Sequence, residues 1–229
     1  MARHGRHAGF TLVEVLVALA VMALMAVLSW RGIDGMLRTR NALQTRADEG
    51  RTLQSGLAQW QTDLNQLAEL TGTPSWNWDG KVLRLTRLAP PPSAGGVRVV
   101  AWSWRQDAGR PGGGDWLRWQ SDTLSTRGAW QQAWQDARAW SQTPTEALRR
   151  QEVSVHPLAG WQLYVHRGGS WTNPLSSEAT ANSGGGETAD AAGRAPDGVR
   201  LLLDLPAHAP VGGRLTLDWV RPHLSGGNP

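Results

Sequence analysis

The sequence predicts an α+β fold in which one long N-terminal α-helix packs on antiparallel β-sheet. Three observations predict it: an apolar run over residues 10–30, a helical stripe of apolar residues that continues to Leu70, and short runs with a period of two beyond Pro74. The chain has 229 residues, of which 40% are hydrophobic. That is enough for a membrane anchor and one folded domain with its own core.

The apolar run extends from Phe10 to Trp30. As a helix it would be roughly 30 Å long, which matches the hydrocarbon thickness of a bilayer. Residues 1–9 contain Arg3 and Arg6 and no acid, and such a flank stays on the cytoplasmic side. The residues around Trp30 do not resemble a signal-peptidase site. We therefore expect a retained, single membrane-spanning helix with the rest of the chain on the outer side.

The second half of the predicted helix covers residues 31–70. Its apolar residues recur in steps of three and four, as in a helix that buries one face. The polar residues between them, which include Gln59, Asp63 and Asn65, are assigned to a face in water, and "TGTP" at 71–74 is the predicted stop. The stripe consists of Ile33, Met36, Leu37, Leu43, Ala47, Leu53, Leu57, Trp60, Leu64, Leu67 and Leu70.

Residues 71–229 are predicted to form one β-rich domain. In "WQLYVH", Trp161, Leu163 and Val165 alternate with polar residues, as expected of a half-buried strand. Asp204 and Asp218 fall at outward strand positions. Further predicted strands are "KVLRLTRL", "VRVVAWSW", "DWLRW", "VRLLLDL" and "RLTLDWV", and "AWQQAWQDARAW" is predicted to form a short helix.

A segment without large apolar residues covers residues 176–198. It cannot contribute to a core on composition alone, and we expect a flexible loop there. The 14 tryptophans include Trp60, Trp161 and Trp219 at positions already assigned to the core, so we expect them to pack rather than to stack on ligands.

The composition argues against several classes of function. There is no cysteine, and the net charge of +4 falls to +2 without Arg3 and Arg6, which is too even to predict nucleic-acid binding. The six histidines lack zinc-site spacing, and the acids form no recognisable catalytic pair. No nucleophile elbow or phosphate-binding loop is present. The sequence therefore predicts no enzyme activity, no metal and no cofactor.

The stretch "GFTLVEVLVALAVMAL" from Gly9 to Leu24 resembles the N-terminus of type IV pilins and of the pseudopilins of type II secretion. The resemblance implies a pilin-like fold and cleavage by a prepilin peptidase between Gly9 and Phe10. It further implies N-methylation of Phe10 and pairing of Glu14 with the amine of a neighbouring subunit during assembly. An alternative stays open, in which Glu14 is a carboxylate close enough to the membrane surface to reach water.

Two later segments are similar to the minor pseudopilin J of type II secretion: residues 29–67, and the strands from "LAGWQLYVHRGGSWTNP" to "GRLTLDWVRP". This likeness implies a structural subunit at the tip of the pseudopilus that supports protein export across the outer membrane. Its partners would be other minor pseudopilins, its anchor would lie in the inner membrane and its domain in the periplasm. The alternative is a W-type minor pilin of a type IV pilus, which would serve assembly, adhesion or DNA uptake. The sequence leaves open the secreted substrates, the partner-contacting surfaces and a calcium ion held by backbone oxygens.

Overall fold

The structure is a computed structural model that describes residues 10–90, 95–110, 112–176, 193–207, 209 and 211–222. Three helices and nine strands occur in this part of the chain. In chain order they are α1 (Leu12–Asn65), β1 (Trp76–Trp78), β2 (Val82–Leu88), β3 (Val97–Gln106), β4 (Gly114–Gln120), α2 (Arg127–Gln142), α3 (Glu146–Arg149), β5 (Glu152–Leu158), β6 (Gly160–Arg167), β7 (Ser170–Thr172), β8 (Gly198–Leu205) and β9 (Gly213–Val220). The α+β fold class is confirmed.

The strands form two antiparallel sheets. The first has five strands in the order β1-β2-β3-β4-β5, and the second has four in the order β7-β6-β8-β9. The chain divides into two units inside helix α1, between Asp48 and Glu49. In the first unit, the described residues 10–48 consist of α1 up to Asp48 and the two residues before the helix. The second unit contains the last turns of α1 and both sheets.

The main core of the second unit lies between the end of α1 and the two sheets. Helix α1 contributes Leu53, Trp60 and Leu64, which are at most 7% exposed. The five-stranded sheet adds residues such as Trp102 and Trp116. From the four-stranded sheet come Leu163, Val165, Val199, Leu201, Leu203, Leu205 and Trp219. Trp60 and Trp219 are thus core residues as predicted, while Trp161 is half-buried at the edge of this core.

Helix α2 covers the other face of the five-stranded sheet. Thr126 caps it by accepting a hydrogen bond from the Ala129 amide, and Trp130 and Trp140 are buried against the sheet. The strand residues opposite them are Val82, Val99, Ala101, Leu117 and Trp119. Because helices cover both faces of this sheet, strand β2 is buried along six consecutive residues.

Helix α1 ends five residues before the predicted end at Leu70. After Asn65 the chain runs beside strand β2: Leu67 bridges to Arg87, and the Ala68 amide donates a 2.8 Å hydrogen bond to the Thr86 carbonyl. The last two apolar positions of the predicted stripe therefore lie outside the helix. Pairing with a strand replaces the intrahelical hydrogen bonds that these residues would otherwise make.

The predicted flexible loop at residues 176–198 lies largely outside the described residues, which omit 177–192. Its last part is wrongly predicted. The Gly193 carbonyl accepts a 2.9 Å hydrogen bond from the Ser75 amide, Ala195 is only 6% exposed, and Gly198 begins strand β8. Ala195 therefore joins the core with a single methyl group and paired backbone groups. A search for large apolar residues does not detect such a contribution.

Gly56 of α1 lies close to strands β4 and β5. A Cβ at this position would lie 2.2 Å from Val155 Cγ1 and 3.3 Å from Trp116 Cζ3. We expect Gly56→Ala to lower the free energy of unfolding by about 1–3 kcal/mol, as overpacking does. The matched control is Gly50→Ala, where a Cβ meets nothing within 4 Å.

The control variant should gain up to about 1 kcal/mol, because alanine favours a helix over glycine. Chemical denaturation followed by circular dichroism measures both variants. Adding Val155→Ala to Gly56→Ala should recover part of the loss. Equal stability of Gly56→Ala and Gly50→Ala would contradict the close approach of α1 to these strands.

Candidate functional site

The N-terminus of α1 is closed by a capping box formed by Thr11 and Glu14. The Thr11 hydroxyl accepts a 3.4 Å hydrogen bond from the Glu14 amide, and the Glu14 carboxylate accepts a 3.5 Å hydrogen bond from the Thr11 amide. Together they satisfy two of the backbone donors that the start of a helix leaves unpaired. The negative charge of Glu14 also lies at the positive end of the helix dipole. Glu14 therefore has a partner within its own chain.

The helix surface beside this capping box is apolar on all sides. Every residue from Phe10 to Trp30 is exposed, with Phe10 at 82% and Trp30 at 74%. Within the described residues, α1 is the one helix long and apolar enough to cross a bilayer, with an 18-residue window of mean hydropathy 2.6 and no buried residue. Gly9, the predicted residue before the cleavage site, lies outside the described residues. Phe10 lies two residues before the first residue of α1, and Glu14 lies in its first turn.

The end of α1 carries a buried ionic cluster around Asp63. This carboxylate is fully buried and pairs with Arg87 of β2 and Arg118 of β4, whose side chains are 6% and 12% exposed. The Arg118 guanidinium donates hydrogen bonds of 2.8 and 2.9 Å, and Trp102 Nε1 donates one of 2.9 Å. Gln59 adds a fourth donor at 2.9 Å. The cluster joins the helix to the sheet, because donors from β2, β3 and β4 reach both carboxylate oxygens.

The sequence reasoning missed this cluster and placed Gln59, Asp63 and Asn65 on a face in water. In the structure Asn65 accepts a 2.7 Å hydrogen bond from Trp219 Nε1 of β9. A signal was available, since Asp63 follows the buried Trp60 by three residues and so lies on the same helix face. A carboxylate on the buried face of a helix predicts a buried cation as its partner.

The remaining titratable residues of the described ranges include one buried histidine and two aspartates in ion pairs. No group of three or more His, Asp or Glu residues there could hold a metal ion. His156 on β5 is buried, and burial lowers the pKa of its imidazole although the charge of Glu49 opposes the shift. The outward Asp204 and Asp218 pair with Arg214 and Arg200 on the exposed face of the four-stranded sheet.

The observation that bears most directly on the class of protein is at the start of the chain. Residues 5–30 match the prokaryotic N-terminal methylation motif. No curated protein gives a significant match to the chain. The motif supports the type IV pilin and pseudopilin superfamily, and it implies processing by a prepilin peptidase. It suggests a structural subunit rather than an enzyme. The exposed apolar part of α1, together with the motif, is compatible with single-pass anchoring in the inner membrane.

Proposed function

We propose that the protein is a minor pseudopilin, a structural subunit at the tip of the periplasmic pseudopilus that supports type II secretion. The methylation motif at residues 5–30, continuous with an exposed apolar helix, is the observation that carries the proposal. The domain after the helix would lie in the periplasm. Its partners would be other minor pseudopilins, reached through the helix surface that the single chain leaves exposed.

Glu14 is proposed to act in assembly. An ionised carboxylate inside a membrane-spanning helix costs about 2.5–3.5 kcal/mol at mid-membrane, so it is retained where it has a partner. The capping box supplies part of that partnership within one chain. Cleavage after Gly9 would expose the amine of Phe10, and the amine of a neighbouring subunit could then pair with the remaining acceptor capacity of Glu14.

We expect coexpression with a prepilin peptidase to give a mature chain that begins with Phe10. The expected modification is one methyl group on the Phe10 amine. Intact-mass spectrometry measures both changes together. Gly9→Leu should block the cut while leaving the membrane span unchanged, and it serves as the control. A chain that keeps residues 1–9 in the presence of active peptidase would rule out this processing.

Glu14→Ala and Glu14→Gln separate the charge of Glu14 from its capping role. Both variants should insert into the membrane at least as well as the parent, because they remove a charge from the apolar segment. Glutamine keeps the capping box, since its side-chain carbonyl can accept the same amide. We expect both variants to lose incorporation into the filament if attraction to an amine is what Glu14 provides. Cysteine crosslinking to neighbouring subunits, with membrane fractionation, measures the two steps.

Normal crosslinking by both Glu14 variants would show that the carboxylate only reaches water at the membrane surface. Loss with alanine but not with glutamine would assign Glu14 to capping alone. Either result would remove the proposed pairing with a neighbouring amine.

The rival function is a W-type minor pilin of a type IV pilus, since the same motif serves both kinds of filament. Deleting the gene in its own host separates them. A pseudopilin deletion should stop the release of secreted proteins into the medium and leave surface pili in place. Loss of pili with normal secretion would favour the pilus subunit instead.

A further inference from the structure

Strand β9 (Gly213–Val220) forms one edge of the four-stranded sheet. It pairs with β8 in unbroken register from Gly198↔Val220 to Leu205↔Gly213. Lysine, proline and β-bulges are devices that protect edge strands, and β9 contains none of these. Its two charged side chains, Arg214 and Asp218, are both held in ion pairs with β8. Among the described residues, no other strand pairs with its outer edge. Within the part of the chain that the structure describes, strand β9 therefore presents a row of backbone donors and acceptors that no strand pairs with.

The hydrogen bonds on either side of β8 show which residues form this row. The Asp204 carbonyl accepts a hydrogen bond from the Ala159 amide, beside β6, so the neighbouring Leu203 directs its backbone groups toward β9. Leu203 is opposite Leu215, and backbone directions alternate along a strand. The residues whose backbone groups point away from the sheet are therefore Arg214, Thr216, Asp218 and Val220.

The side chains of these residues lie on the exposed face of the sheet and carry ordered charges. Arg214 donates a 2.7 Å hydrogen bond to Asp204, and Asp218 accepts two of 2.7 Å from Arg200. Along β9 the cation therefore comes two residues before Thr216, and the anion comes two residues after it. The strand is charge-complementary to its own reversed copy.

We propose that two copies of this chain pair antiparallel through β9, with the twofold axis at Thr216. Each Arg214 then lies opposite the Asp218 of the second copy, and the two Thr216 residues face each other. The row across the interface runs Arg200, Asp218, then Arg214 and Asp204 of the second copy, so its charges alternate in sign. On the core side Leu215 meets Leu217 of the second copy, which extends the apolar face of the sheet.

The order of charges selects a second copy over an unrelated strand. Shifting the antiparallel register by two residues places Arg214 opposite Thr216 or Val220, and the charge pairs are lost. Parallel pairing in register would place like charges side by side, which is unfavourable. If β9 paired with a strand of another protein, the charges of β9 would not need to be complementary to each other. This pairing rests on β9 and its neighbours alone and does not depend on the proposed function.

Single cysteines test the pairing in membranes that contain the full chain, which has no cysteine of its own. Facing residues of a hydrogen-bonded antiparallel pair have Cα atoms about 5.5 Å apart, within the range of a disulfide. Mild oxidation should therefore join most Thr216→Cys chains into dimers. Leu202→Cys is the matched control, because it lies in the same row one strand inward. The two copies of residue 202 would be about 14 Å apart, too far for a disulfide.

A proline at the twofold axis provides a second test of the pairing. Thr216→Pro removes an amide that β8 does not use, so the domain should still fold, whereas pairing across the edge should be lost. Spin labels on Leu202→Cys should give a short interspin distance in the parent and in Thr216→Val, and none in Thr216→Pro. This readout is insensitive to association through α1 alone.

Three results would overturn the proposal. The first is disulfide crosslinking of Thr216→Cys that is no greater than that of Leu202→Cys. The second is a short interspin distance that persists in Thr216→Pro. The third is a Thr216→Cys disulfide to a different protein, which would assign the edge to a heterologous strand.

Discussion

Asp63→Asn should lower the free energy of unfolding of the β-rich domain by about 3–5 kcal/mol, the cost of removing one partner from a buried ion pair. The amide keeps the size of the carboxylate but leaves the charges of Arg87 and Arg118 uncompensated, with side chains only 6% and 12% exposed. Chemical denaturation of the full chain in detergent, followed by circular dichroism, measures the change.

Asp107→Asn is the matched control for Asp63→Asn. Asp107 pairs with Arg110 at 2.7 Å in an exposed hairpin, where water screens the charges, and its loss should change stability far less. If the two variants lost similar stability, Asp63 would not be the point that joins helix to sheet. A second check is Asp63→Leu with Arg87→Met and Arg118→Met, which should recover part of the loss because no buried charge remains.

Trp60→Ala should cost about 3–5 kcal/mol, the range for deleting a fully buried tryptophan side chain. The ring is 0% exposed and lies 5.4 Å from Trp102, 6.0 Å from Trp116 and 6.4 Å from Trp161, measured between ring centroids. Its removal leaves a cavity at the junction of α1 with both sheets. The same denaturation experiment measures the loss.

Trp60→Phe should cost less than Trp60→Ala for two reasons. It keeps an aromatic ring in contact with Trp102, and it removes the Trp60 Nε1 donor, which is buried without a hydrogen-bond partner in the structure. Trp30→Ala, at a site 74% exposed, should leave domain stability unchanged. Equal losses for Trp60→Ala and Trp60→Phe would show that the site does not depend on ring packing.

Periodicity alone predicted the elements whose apolar residues follow the spacing of a helix or a strand. Helix α2 and strands β6, β8 and β9 bury apolar residues at the spacing of their secondary structure, and they were found where expected. Strands β3 and β4 were also found where expected, although they bury apolar residues on both faces. Strand β5 was missed because its pattern is inverted: Val153 is 59% exposed while His156 is buried. A proline at 157 and the polar Glu152 further conceal it. Glu152 is held by Arg105 and Trp140, which are remote in the sequence.

The candidate site also has one part that depends on local sequence and one part that depends on the fold. The N-terminal motif is local, so "GFTLVE" alone predicts Phe10 and Glu14 as site residues, and their roles stay a prediction. Thr11 and Glu14 also have the spacing of the capping box that the structure shows. The Asp63 cluster is not local. Its partners Arg87 and Arg118 lie 24 and 55 residues along the chain, and their burial depends on a sheet register that the sequence pattern does not specify.

The position of the boundary between the two units, inside α1 after Asp48, limits how such a protein can be recombined. The last turns of α1 are part of the domain core, since they carry both Trp60 and Asp63. A chimera joined after Asn65 would give the sheets a foreign helix, with neither the indole that fills their centre nor the carboxylate that neutralises their arginines. One joined before Glu49 would transfer a complete folding unit. Exchange of domains between subunits of this architecture should therefore succeed at a junction in the middle of a helix and fail at the end of that helix.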